Sequence, residues 1–383
     1  MEIESNFIEN LSKDKIPKEN LGPVYFDLMK EKSTEVHIKI SEFIKQFESI
    51  GEFSRYKKLY EQMLKMPEAR SDKSIMRSTI TDLMYRLYDG NKDIDITPAL
   101  AISELNNINA YLDNIILDNK KNIWKGNDVN KKIGETTITS GIFRELTERI
   151  ILEIETSDSN KIKILQSLSE CMTKSYQGQQ LDFEVGLNEI GNFKDDKSYL
   201  RRYLTKSKLQ SGYLYGFSAK IGAILAGANE KQISEAEKIG QTIGLGIHIS
   251  NDLGDFAVAK EPIESTGFKA YQDQLADLKN GRLTFPIYYV IKHGTEQEKQ
   301  ALLKIVKVNN ESATQEDFLA ASRAIHTSGA FEFGKKFIRR YYKDAKNMIH
   351  KNYPESRERG ILSAIPSAII SNKFLTILKE SKE

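Results

Sequence analysis

Cysteine is nearly missing from this sequence: Cys171 is the one thiol among 383 residues. That excludes an intrachain disulfide and any multi-thiolate metal site, and a reducing compartment is expected. Proline (8) and glycine (23) are sparse, which argues against a turn-rich β architecture and for long helices. The five histidines, at 37, 248, 293, 326 and 350, are scattered and make no zinc pattern. No run of about 18 apolar residues is present to span a bilayer. The opening M-E-I-E-S-N-F-I-E-N has neither a basic start nor an apolar stretch, so no signal peptide is expected, and the cytoplasm is the expected location. Charge is almost balanced, at +2 net, and gives no electrostatic case for nucleic acid or another acidic partner.

What is there is helical periodicity. Apolar residues recur at helical spacing from Glu35 to about Leu64, and again from Ile75 to Tyr88, where Asp89-Gly90-Asn91 reads as a stop. Thr97 to Asp118 follows, with Thr97 as the expected N-cap and Pro98 at the first helical position. Later helices are expected over 137–155, 159–176, 198–226, 230–256 and 284–293, then two more between Thr314 and Ile349. Loops are expected at 119–132, 183–197 and 257–283. The expectation is an all-α fold, a single large helical bundle. Residues 1–64 read as a helical extension, polar and partly ordered before about residue 35, 65–350 as the main domain and 351–383 as a C-terminal helical tail.

Two acidic clusters sit inside apolar helical patterns. Burying a carboxylate is costly unless it is paired or bound to metal. In Gly246 to Phe256, G-I-H-I-S-N-D-L-G-D-F, Asn251 and Asp255 are i and i+4 and share a face, with Asp252 beside them. In Glu104 to Asn119, E-L-N-N-I-N-A-Y-L-D-N-I-I-L-D-N, Asn114 and Asp118 are likewise four apart, with Asp113 preceding them. Oxygen ligands on one face suit a hard cation such as Mg²⁺, which takes one or two carboxylates and leaves other positions to water and phosphate oxygens. Asn and Asp near a helix end also cap or bond locally. The segment Asp277-Leu-Lys279-Asn-Gly281-Arg282-Leu-Thr284-Phe-Pro286 then places two cations, a Gly turn and an acid before a new helix, and Gln177-Gly178-Gln179-Gln180-Leu181-Asp182 ends another in polar residues.

In order and spacing these segments resemble the trans-isoprenyl diphosphate synthases, the polyprenyl synthetase family, over roughly Ser71 to Ile349. Ile243 to Phe256 is similar to that family's second aspartate motif, Asp277 to Pro286 to its D-L-x-x-G-K-x-T-x-P, and Gly178 to Asp182 to its G-Q-x-x-D. Gly222-Ala-Ile-Leu-Ala-Gly227 is similar to a packing segment of the family. The resemblance implies a class I isoprenoid synthase bundle in which three Mg²⁺ ions clamp an allylic prenyl diphosphate. It implies Asp113, Asn114, Asp118, Asn251, Asp252 and Asp255 as metal ligands, with the four aspartates as the catalytic set. Lys206, Gln210, Lys279, Arg282 and Arg77 would bind diphosphate. Gln179, Asp182, His248, Tyr213 and Phe217 would line the pocket. A homodimer, or a heterodimer with a related subunit, is implied as well.

The chain also departs from the family pattern. Asn251 replaces an aspartate of the second motif, and the first motif lacks one acid in either register. The family's G-K-R falls near Lys73-Ser74-Ile75, although Arg77 follows, and its K-T falls on Gln210-Ser211, with Lys206 one turn upstream. Its Arg-Arg pair falls on Ile123-Trp124 or Trp124-Lys125, and Lys269 is a further candidate cation. Three readings follow. One is a divergent prenyltransferase. The second is a terpene synthase of the same fold acting on a single diphosphate. The third is a catalytically inactive partner subunit.

Overall fold

A computed structural model of the protein describes residues 21–48, 76–117, 129–184, 186–256, 275–307 and 313–365. The apolar repeats close into helices α1 (Leu21–Glu48), α2 (Met76–Leu87), α3 (Thr97–Leu117), α4 (Val129–Glu153) and α5 (Asp158–Glu184). Then come α6 (Asp196–Ser207), α7 (Tyr213–Leu225), α8 (Glu230–Gly254), the single turn α9 (Ala276–Lys279) and α10 (Phe285–His293). Next are α11 (Glu296–Lys307), α12 (Gln315–Thr327) and α13 (Ala330–Asn352), and residues 357–365 are helical too. The fold is all-α, and among the described residues the β-geometry is one isolated bridge between Gly186 and Arg282.

Two apolar clusters hold the bundle together. The first takes Tyr25, Met29 and Val36 from α1, Ile80 and Met84 from α2, Leu105 and Leu112 from α3, Phe143 from α4, Ile164 from α5, Phe217 from α7 and Ile243 from α8. Ile361, Leu362 and Ile365, from the segment read as a C-terminal tail, join it. The second takes Tyr199 and Tyr203 from α6, Ile249 and Leu253 from α8, and the inner faces of α10 to α13. Each fully buried Leu or Ile contributes about 1.5–3 kcal/mol relative to exposure, so these seams dominate the packing. Helix α8 serves both clusters, and its C-terminal turn, with Asp252, lies on the second.

Several helix limits differ from the sequence expectation. The first helix begins at Leu21 rather than near residue 35. The carboxylate of Asp95 takes the Thr97 N–H at 2.9 Å, so capping of α3 falls before Thr97, on a stronger acceptor. Helix α5 does not stop at Gly178 but runs through it to Glu184. The span 198–226 is not one helix: a π-helical turn over Lys208–Gly212 separates α6 from α7. Helix α11 lies in a stretch for which no helix was expected. The boundary at 64/65, the loop residues 119–128 and 257–274, and the tail beyond 365 lie outside the described residues.

Candidate active site

Three polar segments converge where α5, α6 and α8 end. Asp182, near the end of α5, is buried, and the Lys206 ammonium at the end of α6 donates to its Oδ1 at 2.5 Å. Arg282 Nη1 contacts Oδ2 of the same carboxylate. One buried acid therefore holds two cations. Burial pushes the Asp182 carboxyl up, but Lys206 and Arg282 outweigh it and hold it below the ordinary aspartate value. Burial likewise lowers Lys206, yet Asp182 and Asp252 more than offset that and keep the ammonium charged.

Local chemistry fixes both cations. Helix α6 starts on a reciprocal cap in which Asp195 accepts from Ser198 N at 2.7 Å. Tyr199 and Tyr203 bind its inner face to α10, through Tyr199 stacked on Tyr288 and Tyr203 edge-on to Phe285. The Tyr199 hydroxyl also donates to Leu283 O at 2.9 Å, beside Arg282. Gly281 has φ +67°, a conformation glycine adopts without strain. Its carbonyl accepts from Leu187 N at 2.8 Å, and Arg282 N bonds back to Asp277 O at 2.8 Å. This turn aims Arg282 at Asp182.

Asp252 on α8 is buried and accepts from the Tyr203 hydroxyl at 2.8 Å. His248 Nε2 lies 3.7 Å from Asp252 Oδ1, too far for a hydrogen bond, and this buried nitrogen has no hydrogen-bond partner. Burial, with Lys206 nearby, lowers His248 to about 3, so the ring is neutral near pH 7. Asp277 moves the other way. Burial, with Asp252 beside it, raises its carboxyl to about 7, although Arg282 pulls it down. Asn251 and Asp255 flank Asp252 one turn apart, and the Asp255 N–H bonds Asn251 O at 3.0 Å.

The first acidic helix carries its polar groups differently. Asp113 Oδ1 accepts from Ser140 Oγ at 2.8 Å, and Oδ2 accepts from the Tyr176 hydroxyl at 2.9 Å. Arg144 Nη2 lies 3.8 Å from Oδ2 and donates to the Tyr176 oxygen. Asn114 Oδ1 accepts from Gln179 Nε2, and Gln179 Oε1 accepts from Gln210 Nε2 at 3.0 Å. These three amides link α3, α5 and the π-turn. Asp118 lies outside the described residues, as do Lys73, Ile75, Trp124 and Lys269.

Arg77 lies over the Tyr215 ring at 4.4 Å and lowers the buried Glu104 carboxyl, whose net shift is upward from burial. Its surroundings are thus the first core rather than the Asp182 cluster. Lys279 lies over the Phe318 ring at 4.6 Å. Phe217 is buried in the first core, and Tyr213 is half-buried under Lys208, 5.9 Å from its ring centre. Sequence reasoning missed Ser140, Arg144, Tyr176 and Tyr203. Their partners are distant in the chain, and no local motif marks them.

The donor set can be tested against a divalent ion. Among the described residues no three or more His, Cys, Asp or Glu side chains are grouped to hold a metal alone. The oxygen donors of Asn251, Asp252 and Asp255 fit a hard cation that takes its other ligands from a phosphate. The buried His248 nitrogen, without a hydrogen-bond partner, can pair with one more polar atom beside Asp252.

A family model described as Polyprenyl synthetase matches residues 73–324. Heptaprenyl diphosphate synthase component 2 of Bacillus subtilis is 29% identical over 195 residues, 50% of this chain and 52% of that protein. Geranylgeranyl diphosphate synthase of Methanosarcina mazei is 23% identical over 225 residues, 59% of this chain and 62% of that protein. The chain thus matches these curated relatives over about half to three fifths of their length. A crystal structure of polyprenyl synthase from Caulobacter crescentus CB15, complexed with calcium and isoprenyl diphosphate, superposes with a TM-score of 0.70 at 17% identity. That superposition covers 90% of this chain and 97% of the other.

Proposed function

We propose a function from one premise: this chain belongs to the polyprenyl synthetase family. The chain is an enzyme that ionises an allylic prenyl diphosphate and transfers the prenyl group to isopentenyl diphosphate. The observation that carries this reading is Asp182 holding Lys206 and Arg282 in a buried site next to Asp252. Asp182 and Asp252 balance the two buried cations in the free site, so a diphosphate would bind Lys206 and Arg282 together with the divalent ions that offset its charge, and burial strengthens each of those pairings. Lys206 and Arg282 would bind the diphosphate oxygens and take up charge as the leaving group departs. Asp182 holds both cations in register before substrate arrives. Neutral His248 can donate or accept a hydrogen bond at the same place without adding charge.

Asn251, Asp252 and Asp255, with Asp118 as the family pattern implies, would hold Mg²⁺, which supplies Lewis-acid stabilisation of the departing diphosphate when bound. The Caulobacter relative was crystallised with a divalent ion and an isoprenyl diphosphate together, which supports such a pairing here. The apolar bundle excludes water from the allylic cation.

A subunit partner of the same fold is part of the proposal. The outer face of α4 exposes Ile133, Ile138 and Leu152, and Ile162 of α5 is exposed as well. The Bacillus relative is by name one component of an enzyme. No helix among the described residues is long and apolar enough to cross a membrane.

The test is product analysis with Mg²⁺. Geranyl, farnesyl and geranylgeranyl diphosphate are each supplied with and without isopentenyl diphosphate. The expected product is a prenyl diphosphate longer by five-carbon units, formed only when both substrates are present. A hydrocarbon or alcohol from one substrate alone would replace this reading with a terpene synthase.

A further inference from the structure

The acidic end of α3 is already engaged by protein. Both oxygens of Asp113 accept hydrogen bonds, from Ser140 of α4 at 2.8 Å and from Tyr176 of α5 at 2.9 Å. The Arg144 guanidinium stands 3.8 Å from Oδ2, bonds the Tyr176 oxygen, and lies over the Tyr176 ring at 5.5 Å. The carboxylate is only 17% exposed. A divalent ion at Asp113 would have to share a carboxylate whose two oxygens already accept from Ser140 and Tyr176 and which a permanent cation flanks. Like charges so close repel, and the ion's affinity comes from uncompensated negative oxygen.

We propose that Arg144 is a built-in cation standing in for one divalent ion at the first acidic helix, and that this chain loads fewer than the three ions its family resemblance implies. Asp113 is then a positioning residue that ties α3 to α4 and α5, not a metal ligand. Asn114 is likewise engaged by protein, bound into the amide chain with Gln179 and Gln210. This inference rests on the site reading above, and its test has two arms.

In the first arm, free Mn²⁺ is titrated by electron paramagnetic resonance against the full chain with inorganic diphosphate. Wild type is expected to bind fewer than three Mn²⁺ per chain. Arg144→Gln removes the competing charge and is expected to bind one more ion, or to tighten the weakest by about threefold, the scale of a part-exposed ion pair. Three ions in wild type, or no change in Arg144→Gln, overturns the proposal. In the second arm, metal-free protein is unfolded in urea as Asp113→Asn, Tyr176→Phe and the double variant. Non-additive losses are expected from a shared clamp, and additive losses overturn it. If wild type binds no Mn²⁺ at all, the site reading fails with the ion count, while the urea cycle still decides the clamp.

Discussion

Asp182 is the residue on which the site turns. Its side chain and that of Lys206 are each only 3% exposed, so neither charge is solvated enough to stand alone. Asp182→Asn removes the carboxylate that Lys206 and Arg282 contact directly, and the expected loss is about 3–5 kcal/mol of folding stability in urea. A loss under about 1 kcal/mol would show that water reaches the pair. Two neighbours give this site an unusual pH response. His248, at about 3 against 6.5 when unfolded, makes the fold lose stability as pH falls below 6.5. Asp277, at about 7 against about 3.8 unfolded, makes the fold lose stability as pH rises from about 4 to 7. The groups facing them are Asp182, Asp252, Lys206 and Arg282. The two slopes oppose each other between pH 4 and 6.5, where each corresponds to about one proton. Asp277→Asn removes the second slope, so the variant is expected to lose stability on acidification more steeply than wild type. Urea midpoints at pH 4.5, 5.5 and 6.5 check this, and parallel curves for the two proteins would refute the assignment.

At the scale of elements, the π-helical turn between α6 and α7 is the feature that periodicity could not give. Lys208 to Gly212 carries no proline and keeps the helical apolar pattern, so 198–226 reads as continuous. The turn becomes intelligible only from its neighbour. A Cβ at Gly178 would lie 2.8 Å from the Gln210 backbone nitrogen, so α5 passes against the π-turn at a glycine and brings Gln179 to Gln210. Gly178→Ala gains about 1 kcal/mol of helix propensity. It also forces backbone apart, at a cost of about 1–3 kcal/mol. The expected net result is a less stable protein by thermal unfolding, and a more stable one would mean the contact is loose. Other elements were legible. Thr284-Phe-Pro286 marks the start of α10, with proline in its first turn, and the two helices after Thr314 fall where expected, the first on a Thr314–Asp317 capping box. The residue types of the site were legible too, because the motifs carry them. Their partners were not: Ser140, Tyr176 and Tyr203 reach Asp113 and Asp252 across separations that only tertiary packing closes.

At the scale of the molecule, one helix joins two cores. Helix α8 gives Ile243 and Ile247 to one and Leu245, Ile249 and Leu253 to the other, and its last turn brings Asp252 to the charges of α5, α6 and the Gly281 turn. At 17% identity the bundle superposes on the Caulobacter polyprenyl synthase over 90% of its length. The exposed apolar residues of α4 carry the proposed assembly. Ile138→Glu on the exposed face of α4 is expected to shift the protein toward monomer in light scattering at micromolar concentration, and an unchanged mass would move the interface elsewhere. The account as a whole is tested most directly by the rate of diphosphate release from farnesyl diphosphate with isopentenyl diphosphate and Mg²⁺, in wild type against Asp252→Asn. The account predicts Mg²⁺-dependent release in wild type and a fall of about 10²-fold or more in the variant. Equal rates in the two proteins, or no release from wild type with any allylic diphosphate, would contradict it.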